Sequence, residues 1–221
     1  MTERIKLKDR ILPDYCKGEE IMNMVTHIVG GALGIAVLLL CLMRANSPAA
    51  VTAAAIYGGS MITLYAVSSI YHGLRPGMAK KVMQVLDHCM IYLLIAGTYT
   101  PILLVAFRVP HPGICWGLLA VEWLLAALAV TLTAIDLKKY RVFSMICYIL
   151  LGWGIIFFLP QTLAVMGQEG FRVLLAGGIA YTIGAVLYGL GSKLPWMHSI
   201  FHIFVVAGSF LQFLAIYGYV L

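Results

Sequence analysis

Of the 221 residues, 62% are hydrophobic and 11% charged, and the mean hydropathy is +0.96. This excludes a soluble globule of ordinary surface and places the chain among polytopic membrane proteins. The formal net charge of +6 does not mark a nucleic-acid binder, because the basic residues sit in short loops and near the N-terminus, where topology and anionic lipid account for them. Cys16, Cys41, Cys89, Cys115 and Cys147 form no C-x-x-C pair, so neither a disulfide framework nor a thiolate zinc finger is encoded.

In chain order, residues 1–18 (MTERIKLKDRILPDYCKG) read as a cytosolic tail lying on the inner leaflet through Ile5, Leu7, Ile11 and Leu12. The apolar run that follows is too long for a signal-peptide core. Residues 19–221 read as one transmembrane domain. Given about 20 residues for a core of about 30 Å, seven spans fall near 21–43, 50–71, 84–107, 113–135, 142–160, 171–190 and 197–219. Asn46 and Pro48, then Arg75-Pro76-Gly77, then Pro110, Pro112 and Gly113 punctuate the first three. Asp136 with Lys138 and Lys139 closes the fourth, Pro160 and residues 167–170 close the fifth, and Gly191, Lys193 and Pro195 separate the last two. The expected architecture is an all-α, multi-pass bundle of seven helices in the cell membrane, with glycines where helices approach closely. If the N-terminus is cytoplasmic, Arg4, Lys6, Lys8, Arg10, Lys17, Arg75, Lys80, Lys81, Lys138, Lys139, Arg141 and Lys193 fall inside, against Arg44, Arg108 and Arg172 outside. That asymmetry is a positive-inside pattern.

The segment HSIFH, residues 198–202, carries two histidines four apart, which project from one helical face at a spacing used to hold zinc. The plainer reading makes them interfacial side chains beside Trp196, with their polar tips in headgroup water. His27, His72 and His88 share their half of the bilayer, whereas His111 falls in an outer loop. Ser68 lies one turn before His72, and Asp87 lies in the third span at a similar depth. Ionisable groups at such depth face the bundle interior and pair or bind something. His72, His198 and His202 can supply three nitrogens to Zn2+ and leave a fourth position for water, the open arrangement that acidifies water. Asp87 can then act as general base, and Ser68 can steady a carbonyl oxygen or orient His72. No Ser-His-Asp elbow, P-loop or dinucleotide fingerprint competes, so the inventory favours metal-assisted hydrolysis. The rival reading is a membrane-state sensor or pore in which Asp87 completes a structural zinc site.

Glu20, Asn23 and His27 share one face of the first span and read as supports for that site. His88 points about 100° away from Asp87 on a helix. Cys89 reads as a buried inert thiol. Glu122 reads as a protonated, hydrogen-bonded acid in the bundle, with a place on a proton or substrate path as the alternative, and Gln212 has no evident partner.

The runs EEIMNMVTHIVGG (19–31), SSIYHGL (68–74), VLDHCMIYLLIAGTYTP (85–101) and HSIFH (198–202) together resemble the bacterial hemolysin III branch of the progestin and adipoQ receptor superfamily, from Glu19 onward. The resemblance implies seven helices, an inner N-terminus, an inner-side zinc held by His72, His198 and His202, and Asp87 and Ser68 beside the metal. It also implies relatives with ceramidase-like activity and bacterial members linked to haemolysis, membrane fluidity and energetics. The ceramidase-like relatives make a lipid amide or ester the expected target of the hydrolysis, the lipid entering between helices near the inner leaflet. The pair Asp87-His88 stands where the receptor branch tends to have Asp-Tyr, and the chain has no sizeable soluble domain for a protein hormone, so receptor ligands do not transfer.

Overall fold

A computed structural model describes residues 6–191 and 194–221; Arg4, Ile5 and Lys193, which entered the tail and the charge count above, lie outside the described residues. Among the described residues, seven α-helices follow one another: α1 Lys17–Arg44, α2 Pro48–Gly73, α3 Met78–Pro101, α4 Pro112–Ile135, α5 Arg141–Gly152, α6 Leu159–Leu190 and α7 Met197–Tyr219. A π-helical turn, Ile102–Phe107, extends α3, and a short 3-10 helix, Gly154–Phe158, joins α5 to α6. No strand occurs among the described residues.

Among the described residues, six helical stretches are long and apolar enough to cross a bilayer: Lys17–Arg44, Pro48–Gly73, Met78–Phe107, Pro112–Ile135, Arg141–Leu190 and Met197–Tyr219. The fifth contains both the fifth and the sixth expected spans. It breaks at Gly167, where φ is 70° and ψ 172°, a conformation open essentially to glycine alone.

Local chemistry fixes the helix starts. The Cys16 side chain accepts from the Glu19 backbone N–H while the Glu19 carboxylate accepts from the Cys16 N–H, a reciprocal cap that opens α1. Ser47 caps α2 with Pro48 in its first turn, and Pro112 opens α4. The α1 residues Glu19, Asn23, His27, Gly30, Gly34, Val37 and Cys41 are buried, a repeat of three and four that marks one helical face. Glycines let that face sit close to α2. A Cβ on Gly30 would lie 2.6 Å from the Tyr65 ring, and one on Gly58 would lie 2.7 Å from the Leu38 Cα. α7 packs on both α1 and α6, whereas α5 touches its neighbours sparsely.

The tail is drawn into the bundle end rather than spread beside it. Its 3-10 turn Leu7–Asp9 packs on α3, Lys81 Nζ donates to the Lys8 carbonyl, and Arg10 is buried. Ile11, expected to touch lipid, is exposed.

Candidate functional site

The first turns of α1, α3 and α7 and the last turns of α2 meet at one end of the bundle, and their polar residues converge there. His72, in the last turn of α2, is buried, and its Nδ1 lies 2.7 Å from Glu20 Oε2. A carboxylate only accepts, so Nδ1 carries the proton and Nε2 keeps its lone pair. That Nε2 is buried without a hydrogen-bond partner. Asn23 Nδ2 lies 3.4 Å from the same Nδ1, and the other Glu20 oxygen accepts from buried Lys80 Nζ at 2.7 Å. Lys80 also donates to the Leu74 carbonyl at 3.0 Å. α1 thereby sets the tautomer of a histidine on α2 through an ion pair to α3.

His198 and His202 are 6% and 1% exposed, which removes the reading of these rings as interfacial side chains in headgroup water. Their Nε2 atoms face each other at 3.1 Å, and nitrogens from His72, His198 and His202 all lie within 4.8 Å of one another. Zinc with N ligands at about 2.0–2.1 Å places tetrahedral donors about 3.3 Å apart, so the widest pair would draw in by up to about 1.5 Å. Opposed lone pairs at this distance are stable only with a proton or cation between them, and a divalent metal suits the donor set.

The turn before α7 is held from α1. Trp196 adopts φ 65°, ψ −12°, a left-handed conformation costing a non-glycine residue about 1–2 kcal/mol. Its N–H donates to Glu19 Oε1 at 2.6 Å, and its ring lies against Gly18. Glu19, Lys80 and Tyr15 were missed by sequence reasoning. Glu19 was visible only as half of a capping box, and its bond to a residue 177 positions away leaves no local signal. The Tyr15 ring stacks on His198 at 4.8 Å and 20° and lies 5.9 Å from His72. Burial first, then the neighbouring Tyr188, Glu20, Asp87 and Glu19, raises the Tyr15 phenol pKa, so it stays neutral.

His27 is buried with both nitrogens unpartnered. Its ring stacks on His202 at 3.8 Å and 24° and meets Tyr65 edge-on at 5.0 Å. Ser68, buried with its Oγ unpartnered, and Asp87 line one apolar cavity with His27 and His202. Asp87 stands outside the three-histidine group and lies 3.8 Å from His88 Nδ1. His88 turns from the cluster: its Nδ1 donates to the Gln84 carbonyl at 2.8 Å, which leaves Nε2 to accept from Tyr188 OH at 3.0 Å.

Cys89 sits near the Val130 carbonyl, away from the cluster. Glu122 is buried beside Gly154 and Tyr99. Gln212, unpaired in the sequence reading, donates to the Leu174 carbonyl at 3.2 Å.

The apolar cavity, of about 170 Å³, runs between α3, α5, α6 and α7 from Asp87 to Gln212. A second, more polar cavity of about 630 Å³ lies under the cluster, walled by the tail, His198 and the start of α5. The two share His88, Met145, Tyr148 and Tyr188 as walls.

These features define a multi-pass helical membrane protein with a buried histidine cluster at one end of its bundle. The chain belongs to the haemolysin III family: the family model described as haemolysin-III related matches residues 16–213. It is 40% identical to Hemolysin-3 of Bacillus cereus over 92% of each chain. It is also 34% identical to the Hemolysin-3 homolog of Bacillus subtilis, covering 91% of this chain and 94% of that one. A human protein, monocyte to macrophage differentiation factor, is 26% identical over 74% of this chain and 68% of its own.

Proposed function

We propose that the chain is a zinc-dependent hydrolase of lipid amide or ester bonds, crossing the membrane seven times with its N-terminus and histidine cluster on the cytoplasmic side. The observation that carries the reading is the convergence of buried His72, His198 and His202, with His72 Nε2 left unpartnered. Seven crossings are supported by the 50-residue stretch Arg141–Leu190. Straight, it would be about 75 Å long, more than twice a hydrocarbon core of about 30 Å, and it breaks at Gly167. Orientation is supported by the Lys and Arg asymmetry.

Zinc held by His72, His198 and His202 would supply Lewis-acid activation of water and of the substrate carbonyl. Glu20 holds His72 in the tautomer that presents Nε2. Asp87, which lines the apolar cavity with His202 but stands outside the ligand group, would accept the proton that water gives up and pass it to the leaving amine or alkoxide. The unpartnered Ser68 Oγ–H is available to a carbonyl oxygen as its charge builds. The cavity bordering Ser68 and Asp87 has the apolar lining that a hydrocarbon chain requires. A structural zinc would need a fourth protein ligand. Asp87, the fourth ligand of the rival reading, stands outside the three-histidine group, and His27 lies flat on the His202 ring.

Metal analysis of purified wild type beside His72→Ala, His198→Ala, His202→Ala and Asp87→Ala, with lipid amide and ester cleavage measured on each, tests the proposal. Zinc is expected to be lost from the three histidine variants and kept by Asp87→Ala, with cleavage lost from all four. Zinc retained in every variant overturns the ligand set. Full cleavage by Asp87→Ala overturns its role as base.

A further inference from the structure

The more polar cavity beneath the histidines contains a buried cation with one nitrogen left without an acceptor. Arg10 is 8% exposed, lines this cavity, and its Nη1 is buried with no hydrogen-bond partner. A guanidinium N–H shut away from water and left unmade is costly, so its retention points to an acceptor that arrives with a ligand. Lys138 and Arg141 lie exposed on the same wall.

The acids nearby do not answer Arg10. Glu19 is committed to the N–H groups of Trp196 at 2.6 Å and Cys16 at 2.9 Å. Asp9 and Asp14 are exposed. Asp136 is the counter-charge that Arg10 senses, but its Oδ1 accepts from the N–H groups of Lys138 and Lys139 at 3.1 Å each.

We propose that this cavity is a phosphate site, with Arg10 as its buried donor and Lys138 and Arg141 at its rim, and that it receives the phosphate head of an amphiphile whose chain occupies the adjoining apolar cavity. Arg presents a planar fork to phosphate, and flexible lysines add point charge. At about 630 Å³ the polar chamber is within the range of small-molecule sites, about 300–1,000 Å³. His88, Met145, Tyr148 and Tyr188 are the partition the two chambers have in common, and His198 and His202 border one chamber each. A lipid spanning both therefore lays the bonds between head and chain along the histidine cluster. As a statement of substrate class, a phosphate-headed lipid rather than a neutral one, this rests on the hydrolase reading; as a statement of binding it does not.

Binding is measured without turnover, by native mass spectrometry and thermal shift on the detergent-solubilised full chain. The probes are lysophosphatidic acid, the monoacylglycerol and the free fatty acid of the same chain, and inorganic phosphate. Lysophosphatidic acid is expected to bind at least about tenfold more tightly than the two other lipids, the lower end for a hydrogen bond to a charged group. Arg10→Gln is expected to abolish that preference, and Arg10→Lys to keep part of it. Competition by inorganic phosphate at millimolar concentration identifies free phosphate as a natural occupant; no competition assigns the site to a lipid headgroup. Should Arg10→Gln not fold, the Lys138→Gln/Arg141→Gln variant and added salt must each lower the wild-type preference. Equal binding of the three lipids, or a preference that survives Arg10→Gln, overturns the site. Headgroup-selective binding without hydrolysis of any lipid would leave the site standing and remove the enzymatic reading.

Discussion

Replacing Glu20 by alanine separates the stability of the bundle end from the posture of its histidines. Glu20 Oε2 accepts from His72 Nδ1 and Oε1 from Lys80 Nζ, each at 2.7 Å. Lys80 is buried, with 4% of its side chain exposed, whereas the Glu20 side chain is 20% exposed. Breaking a buried ion pair by removing one partner costs about 3–5 kcal/mol. The partial exposure of Glu20 and the surviving Lys80 bond to the Leu74 carbonyl put Glu20→Ala near the low end, about 3 kcal/mol, or roughly 6–12 °C in Tm for a chain of this size. Loss of the group that orients a metal-binding histidine lowers metal affinity by about 10–100-fold. The two effects part in Glu20→Ala/Lys80→Met, which removes the stranded ammonium and fills its place with an apolar chain. The double variant should regain most of the lost Tm while its zinc affinity, read by competition with a chromophoric chelator, stays depressed. Zinc affinity that is unchanged in Glu20→Ala, or that returns with Lys80→Met, would refute the assignment of Glu20 to His72.

Gly58→Ala should lower Tm by the equivalent of about 1–3 kcal/mol of overpacking, because its Cβ would meet the Leu38 backbone. Gly59→Ala, with nothing within 4 Å, should be neutral or gain up to about 1 kcal/mol of helix propensity, and thermal melts of the pair in one detergent decide it. Tyr65→Phe should cost about 0.5–1.5 kcal/mol through loss of its 2.6 Å bond to Ser209, read as a Tm change smaller than that of Gly58→Ala. Tyr15→Ala removes the ring stacked on His198, a contact of about 0.5–1.5 kcal/mol, so zinc affinity should fall by no more than about tenfold. Zinc release to a chelator should nevertheless quicken, since Tyr15 lines the wall between the polar cavity and the cluster; an unchanged release rate would show that Tyr15 does not cover the site.

The histidine cluster was legible because its signal is local and costly: His198 and His202 lie one turn apart in an apolar run, and His72 shares their depth. Glu20, Asn23 and His27 were legible as one face of α1 for the same reason, and their contacts with His72 and His202 lie on that face. The join between the fifth and sixth spans was harder to read. Gly167 and Gln168 announce a turn by composition, but helical hydrogen bonding carries on around it, and only the φ of 70° at Gly167 marks the break. The tail was read by composition as lipid-facing, although the identity of one residue governs its course: Arg10 cannot lie among acyl chains and is drawn under the bundle near Asp136. The left-handed turn at Trp196 escaped because a non-glycine in that conformation is stabilised by a partner from α1, which no window around residue 196 contains.

The acids around the cluster follow one rule of placement. Glu19 holds the turn that starts α7, Glu20 holds His72 by its remote nitrogen, and Asp87 faces His88; none joins the group of three imidazoles. A carboxylate among the ligands would cancel part of a divalent charge and weaken its hold on the acidity of water, whereas three neutral imidazoles leave that charge whole. One residue further out, the same carboxylates fix the angle and tautomer of the rings without drawing down the field. This also separates the two chambers chemically. The charge of a bound ion would act on the apolar side, where Ser68 and Asp87 have little water to compete with, while buried Arg10 and exposed Lys138 and Arg141 line the other cavity. If the phosphate site holds as proposed, an amphiphile would enter with its head toward Arg10 and its chain in the apolar cavity, and the bond presented to the histidines would be set by the distance from head to chain and not by the length of the chain.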